Sequence, residues 1–431
     1  MIINVPHLIR DSRDFRVLWA AATVSMLGSF VTRTALPFAA ILVLGAGAGE
    51  VALIRGGELV AGLTLGLVAG AVVDRTRRRP VMIVTDLGRA LLLGSIPVAA
   101  FLGILGLPQL VVVAFGTAVL TTFFDVADQS FLPGVVGREQ LVDANATMTA
   151  SASAAEFVGF GLGGWLIQLL TAPIAIALDA GSFVVSAILL GRIRARETHH
   201  EPSSADRESV LDEIREGLRR TVQDPILRPL ALADAAVSGF FGVFGATYLV
   251  FVTQLGFSPG AIGLIAAIGG ASSLIGALVA ARGVERLGVG RFLIGAMALV
   301  TVGNAAIAFA PDASPVGLGF LLTQQLVSDS AFTGFAIIAV SIRQTTVDDR
   351  TLGRVSASFN VLAMAAMLVG TLAGGIVATV WGLRTAILLG SGGGVLGLAI
   401  VATSRVRSLR EMPLAAPAAP VMPGVDVPLT E

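Results

Sequence analysis

Residues 70–79 read Gly70-Ala-Val-Val-Asp74-Arg75-Thr-Arg77-Arg78-Arg79. An apolar run ends there in a knot of charge, and a second apolar run starts at Pro80. The pattern is G-x-x-x-D-R-x-x-R-R. A glycine four residues ahead of Asp-Arg lets a neighbouring helix come close, and the charge behind it stays in water. Two long apolar helices hinged on so charged a loop are a sign of a chain that crosses a membrane and turns back.

Composition agrees. Of 431 residues, 55% are hydrophobic and 13% charged, and mean hydropathy is +0.86. Soluble domains carry roughly a quarter charged residues. A single core cannot absorb such an apolar excess, so the solvent for most of the chain is lipid. The net charge of +0 gives no electrostatic case for nucleic acid. Cysteine is absent, which excludes disulfides and thiolate metal sites. Three histidines, with His199 and His200 adjacent, make no metal cage. Neither metal nor cofactor is expected. All basic residues are arginine, which we read as codon bias in a GC-rich bacterial genome. The polar N-terminus through Arg16 and the long first apolar run argue against a cleavable signal peptide.

Twelve apolar segments of spanning length follow: about 16–44, 51–73, 80–105, 109–131, 141–169, 172–191, 226–253, 259–281, 290–310, 315–341, 352–379 and 383–404. Each must be helical, because lipid offers no partner to an open strand edge. Arginines cluster before the first span, after the second, at Arg138, from Arg192 to Arg228, at Arg282, Arg286 and Arg291, at Arg343, Arg350 and Arg354, and after the last span. The alternate loops hold almost none, with Arg55 and Arg384 as exceptions. Positive loops face the cytoplasm. Both termini are therefore expected inside a bacterial inner membrane.

The predicted organisation is an all-α membrane protein with a six-helix half over 1–192, a linker over 193–225 and a second half over 226–404. A disordered tail over 405–431 follows. In the linker, Val210, Ile214 and Leu218 share one face, which predicts an amphipathic helix at the membrane surface. The halves repeat: Gly159, Gly163 and Gly164 in the fifth span align with Gly370, Gly374 and Gly375 in the eleventh. Such glycines are expected at close helix contacts. Two six-helix halves related this way fit a transporter with its substrate site at the midplane between them.

The loop pattern resembles the signature that major facilitator transporters carry between helices 2 and 3. Further stretches narrow the likeness: Asp86-Leu-Gly-Arg89, Phe123-Phe124-Asp125-Val-Ala-Asp128-Gln129, Leu141-Val-Asp-Ala144-Asn145, Leu178-Asp179-Ala-Gly-Ser182-Phe183, Arg215-Glu-Gly217-Leu218-Arg219 and Asp224-Pro225-Ile-Leu-Arg228-Pro229. In that order and spacing they look like the bacterial branch of enterobactin exporters and macrolide efflux pumps. The resemblance covers residues 10 to about 405 and implies proton-coupled export of a small organic molecule. Two positions depart from it: Phe160 stands where such exporters often have proline, and Glu156 where relatives often have a basic residue.

Ionisable groups within spans are costly and usually face a cavity or a partner. The resemblance places spans 1, 4, 7 and 10 around the cavity. That favours Arg33, Asp234 and Asp329 for proton coupling or substrate contact, with Glu58 and Glu156 on flanking spans. At 1.5 Å per residue Arg33 and Glu58 both lie roughly 25 Å from the arginine-rich face. They are expected to pair, either to hold two helices together or to open on protonation. Asp329 lies about 20 Å deep, with no basic residue of its own helix in reach. It is either a coupling or substrate group, or a carboxylate satisfied by hydroxyls. Asp125 and Asp128, near the charged end of their span, are expected to pair with the arginines at 75–79 as a gate. Asp179 reads as packing or capping, and Asp86 with Arg89 as a local pair. Phe241, Phe244, Tyr248 and Phe251 form one helical face, for packing or for stacking a planar substrate.

The expected activity is secondary export of a lipophilic or amphipathic molecule by a monomer in the bilayer, coupled to protons or, as the alternative, to sodium. Export of one endogenous metabolite, such as a siderophore, is the alternative within transport. A non-transporting receptor or assembly factor is the alternative outside it. An enzyme is not expected, and without lysine no Walker-type ATP loop can form. The resemblance makes Gly70, Asp74, Arg75, Arg78 and Arg79 a latch, with Asp74 accepting from the N-terminus of the eleventh helix. A contact of this kind is worth about 0.3–2 kcal/mol. It can shift a balanced two-state equilibrium by up to roughly thirtyfold. Asp74→Asn should therefore leave protein levels normal and cut cellular export severely; unchanged export would remove the latch.

Overall fold

The computed structural model describes residues 7–73, 75–195 and 210–413. A short helix α1 (His7–Asp11) leads into α2 (Arg13–Phe38), which continues as a π-helical turn over Ala39–Val43. Then follow α3 (Ala48–Val73), α4 (Arg78–Phe101), α5 (Leu107–Val136), α6 (Leu141–Leu170) and α7 (Ala172–Gly191). The linker holds α8 (Val210–Gln223). The second half contains α9 (Leu227–Gln254), α10 (Pro259–Leu287) and α11 (Val289–Ala306). It continues with α12 (Pro315–Thr323), a π turn over Gln324–Ser328, α13 (Asp329–Thr346), α14 (Asp349–Trp381) and α15 (Leu383–Thr403). No strand occurs among the described residues.

Eleven of these helical stretches are long and apolar enough to cross a membrane; one is α12–α13 taken together, Pro315–Thr346. The 26-residue α3, with Glu50, Arg55 and Glu58, completes the twelve spans of a multi-pass all-α membrane protein. Helix starts follow ordinary capping chemistry. Ser12, Ser258 and Ser314 each accept a backbone N–H with their hydroxyl, and Pro259 and Pro315 stand in the first turn, where no N–H is missed. Several reversals take a single residue. Gly288 and Gly382 turn at φ 79° and 88° between consecutive spans, and Gly137, at φ 76°, does so ahead of a 3₁₀ turn over Arg138–Gln140. Thr171 makes the same reversal at φ 83°, at the position in the repeat that Gly382 occupies.

In the first half α2 packs on α6 and α7, α4 on α5 and α7, and α3 on α5. In the second, α9 packs on α14 and α15, α10 on α13, and α11 on α15. The two halves touch where α6 meets α10 and where α3 meets α14. Both seams rest on bare backbone. A Cβ placed on Gly164 would meet the Pro259 carbonyl oxygen and lie 2.9 Å from Gly263 Cα. One on Gly375 would lie 2.5 Å from Ala52 Cβ and 3.2 Å from the Ala48 carbonyl. The neighbouring glycines serve their own half. Gly159 and Gly163 admit Phe30 and Val31 of α2, while Gly370 and Gly374 admit Gly239 and Val243 of α9. The expected repeat is thus visible as equivalent close contacts.

These seam contacts run from the arginine-poor end to the middle of the spans. Along α3 and α14 they run from Gly49 beside Thr379, through Gly56 beside Leu372, to Gly62 beside Met364. At Gly70, nearer the arginine-rich end, no described atom lies within 4 Å of a Cβ placed there. The molecule is closed at the arginine-poor end.

One expectation needs correction. Residues 405–410 are ordered: Arg405–Ser408 form a 3₁₀ turn, and the carbonyls of Leu409 and Arg410 accept from Gly290 and Val289 at 2.8 and 3.3 Å. They cap the start of α11, whose first N–H groups have no partner within the helix. Residues 414–431 lie outside the described residues. Helix α8 exists, but it buries Gly217 and Thr221 against α14, and its apolar Leu218 is 37% exposed. Small residues let α8 sit directly on the α14 backbone.

The chain has no cysteine, so Gly49→Cys with Thr379→Cys should cross-link on oxidation and report a closed seam. Gly164→Leu overpacks the other seam, at a cost of about 1–3 kcal/mol. It should lower that cross-linking severalfold, while Gly181→Ala, which meets nothing within 4 Å, should not. Equal cross-linking in both would show that Gly164 does not govern closure.

Candidate functional site

The seam between α6 and α10 opens into a slot of about 800 Å³. One wall is Ser153, Ala154, Glu156, Phe157 and Phe160 of α6. The other runs from Ala266 to Leu274 of α10, and Asp329 closes its inner side. Spacing explains the walls. Residues 153, 156, 157 and 160 fall on one face of α6, and the α10 wall is mostly Ala, Gly and Ser, which leaves room. Glu156 comes from the first half and Asp329 from the second. They are the two charged side chains among the lining residues.

Asp329 is presented by a break in its helix. The span turns π-helical over Gln324–Ser328 and resumes α-helical geometry at Asp329. Such insertions occur often at functional sites. Here the break is held by side chains: Gln325 Nε2 donates to the Ile265 carbonyl at 2.9 Å, and the Ser328 hydroxyl lies 2.7 Å from Asn304 Oδ1. Gln324 Nε2 donates to Asp329 Oδ1 at 3.2 Å. The other oxygen lies beside Gly269, where a Cβ would come within 2.9 Å of it. Among the described residues no basic side chain forms an ion pair with Asp329.

Arg33 does not pair with Glu58 as expected. Arg55 takes the carboxylate, with Nη1 to Oε2 at 3.0 Å, and its Nη2 donates to the Arg33 carbonyl, also at 3.0 Å. Arg55 is three residues from Glu58 on the same helix, which needs less side-chain ordering than a cross-helix pair. Arg33 remains within electrostatic range of Glu58, Glu156 and Arg55, with its guanidinium 5.9 Å over the Phe30 ring. Phe30 in turn lies 5.4 Å from Phe160 of the slot wall.

Asp125 and Asp128 are not oriented by the loop arginines as expected. Asp125 interacts with Arg89, and Asp128 with Asp125 and Asp86. Arg89 is buried, hydrogen-bonded to Asp86, and sandwiched between Phe124 and Phe183 at 4.4 and 4.2 Å. Both faces of a planar guanidinium can be used this way. Asp179 is buried and accepts from the Ser182 hydroxyl at 2.9 Å. Asp234 interacts with Arg343, whose guanidinium lies 4.7 Å over Phe359.

Of the loop residues, Asp74 lies outside the described residues. Arg75 is exposed, and Arg79 donates to the carbonyls of Leu190 and Gly191, closing the end of α7. Arg78 is half-buried. The aromatic face on α9 splits. Tyr248 and Phe251 are buried in the core, while Phe241 and Phe244 are half-buried. Phe244 stacks on Tyr248 at 4.3 Å and Phe241 meets Phe332 at 4.8 Å. None of the four lines the slot.

Beyond the membrane ends, Glu216 of α8 is bridged to Arg354 at the start of α14 and to Arg220 at 3.3 Å. The Arg354 guanidinium holds the Glu216 carboxyl below the usual carboxylate range.

Gln324, Gln325 and Asn304 were not singled out from the sequence. The run Gln324-Gln325-Leu-Val-Ser328-Asp329 inside an apolar span is the signal that marks them. Two amides next to an acid in lipid need internal partners.

With this geometry in view, residues 18–351 match the description Major Facilitator Superfamily. The chain belongs to that superfamily. Among its relatives is the multidrug efflux pump Tap of Mycolicibacterium fortuitum, 29% identical over 385 residues, covering 86% of this chain and 90% of the pump. Among solved structures, a point mutant of the nucleoside transporter NupG superposes with a TM-score of 0.75 at 12% identity, over 90% of this chain and 99% of its own. A bacterial homologue of the iron transporter ferroportin superposes at 18% identity over 90% of this chain and 98% of its own. Its TM-score is 0.71 in the inward-facing state and 0.56 in the outward-facing state. These likenesses establish the major facilitator fold, and the superfamily makes the chain a membrane transporter with an efflux-pump relative.

A double-mutant cycle tests the charge assignment. Removing Arg55 and Glu58 by Gln substitution should show a coupling of about 0.5 kcal/mol in detergent melting, as expected for a half-exposed pair. The Arg33–Glu58 cycle should show a smaller one. The reverse order would reinstate the cross-helix pair.

Proposed function

We propose that this transporter exports a lipophilic or amphipathic small molecule by proton antiport, alternating access across the seam between its halves. The observation that carries the reading is the slot with an acid from each half. Glu156 and Asp329 share one cavity while their helices belong to bodies that rock against each other. Efflux by the Tap relative supports the direction of transport. Positive loops favour a cytoplasmic arginine-rich end with both termini inside, so the closed end faces outward and the slot lies on its inner side. The better superposition on the inward-facing ferroportin homologue is in keeping with that state.

In this cycle substrate and proton compete for the same carboxylates. Substrate binds from the inside with Asp329 ionised. The halves then rock, and the Asp74 latch holds the arginine-rich end shut. Outside, a proton neutralises Asp329 and substrate leaves. The neutral acid resets the protein and discharges its proton inside. Asp329 suits this role because an amide, not a guanidinium, is its hydrogen-bond partner. An ion pair would hold it charged. Asp234, next to Arg343, is a gating candidate in this scheme.

Asp329→Asn keeps size and hydrogen-bonding shape but cannot titrate. Uphill export driven by a pH gradient in proteoliposomes should fall at least roughly tenfold, while downhill exchange at saturating substrate survives. Normal uphill export would move the proton site to Glu156 or Asp234. Loss of both activities even at saturating substrate would make Asp329 a structural residue.

A further inference from the structure

The slot has a property that a central, water-fed cavity does not need: it opens along the side of the bundle. Its walls are α6 and α10, the two helices that face each other across one seam, and Asp329 is its innermost lining residue. The helices at the centre of the bundle, α2 and α9, contribute no lining residue. Its rim is apolar and exposed. Phe157 is 52% exposed and Leu274 69%, continued by Val158 and Leu162 along α6 and by Ile275 and Leu278 along α10. Exposed side chains of this kind within spans face acyl chains. Small residues at Ala154, Ala267, Gly270 and Ala271 keep the passage between them wide, and the Gly164–Gly263 contact closes it toward the arginine-poor end.

The charge in the slot has one sign. Among the described residues, two carboxylates and no basic side chain line it. Glu156 is within range of Arg33, but among the described residues Asp329 has only the Gln324 amide. An apolar passage that ends on an acid without a counter-ion complements one ligand chemistry: an apolar body carrying a positive charge.

We propose that the slot admits and binds an amphipathic organic cation that enters sideways from the membrane leaflet at the arginine-rich side, between α6 and α10. The inference rests on the export reading and adds the charge of the substrate and its route. The apolar body lies against Phe157, Phe160 and the small residues of α10, and the cationic centre pairs with Asp329.

Two measurements test it on the full chain in lipid nanodiscs. The first measures binding of tetraphenylphosphonium, with triphenylphosphine oxide as a neutral probe of similar shape. Asp329→Asn should weaken the cation by at least roughly tenfold, the loss expected for one desolvated charge-assisted contact, and leave the neutral probe within about twofold. Gly270→Leu, whose side chain would extend toward Phe157 from a Cβ only 3.4 Å away, should weaken both. Gly295→Leu on α11, which meets nothing within 4 Å, should weaken neither. Equal losses of both probes in Asp329→Asn would overturn the charge assignment.

The second measurement places a spin label at Ala271→Cys, possible without background in a chain that lacks cysteine. The label should relax faster with oxygen, which partitions into lipid, than with a water-soluble nickel chelate. The reverse would make the slot an aqueous vestibule and overturn the lateral route. It would leave Asp329-dependent uphill export, and with it the transporter reading, standing.

Discussion

Everything in this fold depends on backbone meeting backbone across two seams. Gly164 lies against Pro259 and Gly263, and Gly375 against Ala48 and Ala52. Between helices in lipid, apolar side chains gain little from contact, because acyl chains are just as apolar. Close approach of bare helices gives more dispersion contact and places no soft side chain between the bodies. The same glycine clusters seat α2 in one half and α9 in the other. One short motif, used twice, builds each half and joins it to its partner. The slot exists because the α6–α10 seam is tight at one end and spreads beyond Phe160.

Much of this was legible in the sequence because lipid imposes strict rules. Span lengths, the arginine-rich loops, the central linker and the glycine repeat all follow from burial cost and bilayer thickness. The site acids Glu156 and Asp329 were visible for the same reason, since a charge deep in an apolar span demands an explanation. Their convergence in one cavity was not, because it depends on how two halves meet.

The misreadings have a common cause. Depth along a helix says which groups share a level, but not which way each side chain turns. Arg33 and Glu58 share a level, yet Arg55 reaches the carboxylate first. The stripe of Phe241, Phe244, Tyr248 and Phe251 is one face of α9, but that face runs from a half-open region into the core. Proximity within a helix end misled in the same way for Asp125, which looks inward to Arg89, and for Asp128, whose electrostatic neighbours are Asp125 and Asp86. The ordered residues 405–410 were missed because short segments that cap another helix leave no periodic trace.

The placement of the seams gives the molecule mechanical leverage. If the contacts at Gly164 and Gly375 act as a fulcrum, then Glu156 sits about 12 Å along α6 from the pivot and the start of that helix at Leu141 about 35 Å. A rotation of about ten degrees then moves the wall of the slot by about 2 Å and the arginine-rich end by about 6 Å. The bound molecule would feel a gentle squeeze while the far end swings through the width of a water layer. A single rigid rotation would thus grip the cargo without crushing it and seal the entrance behind it.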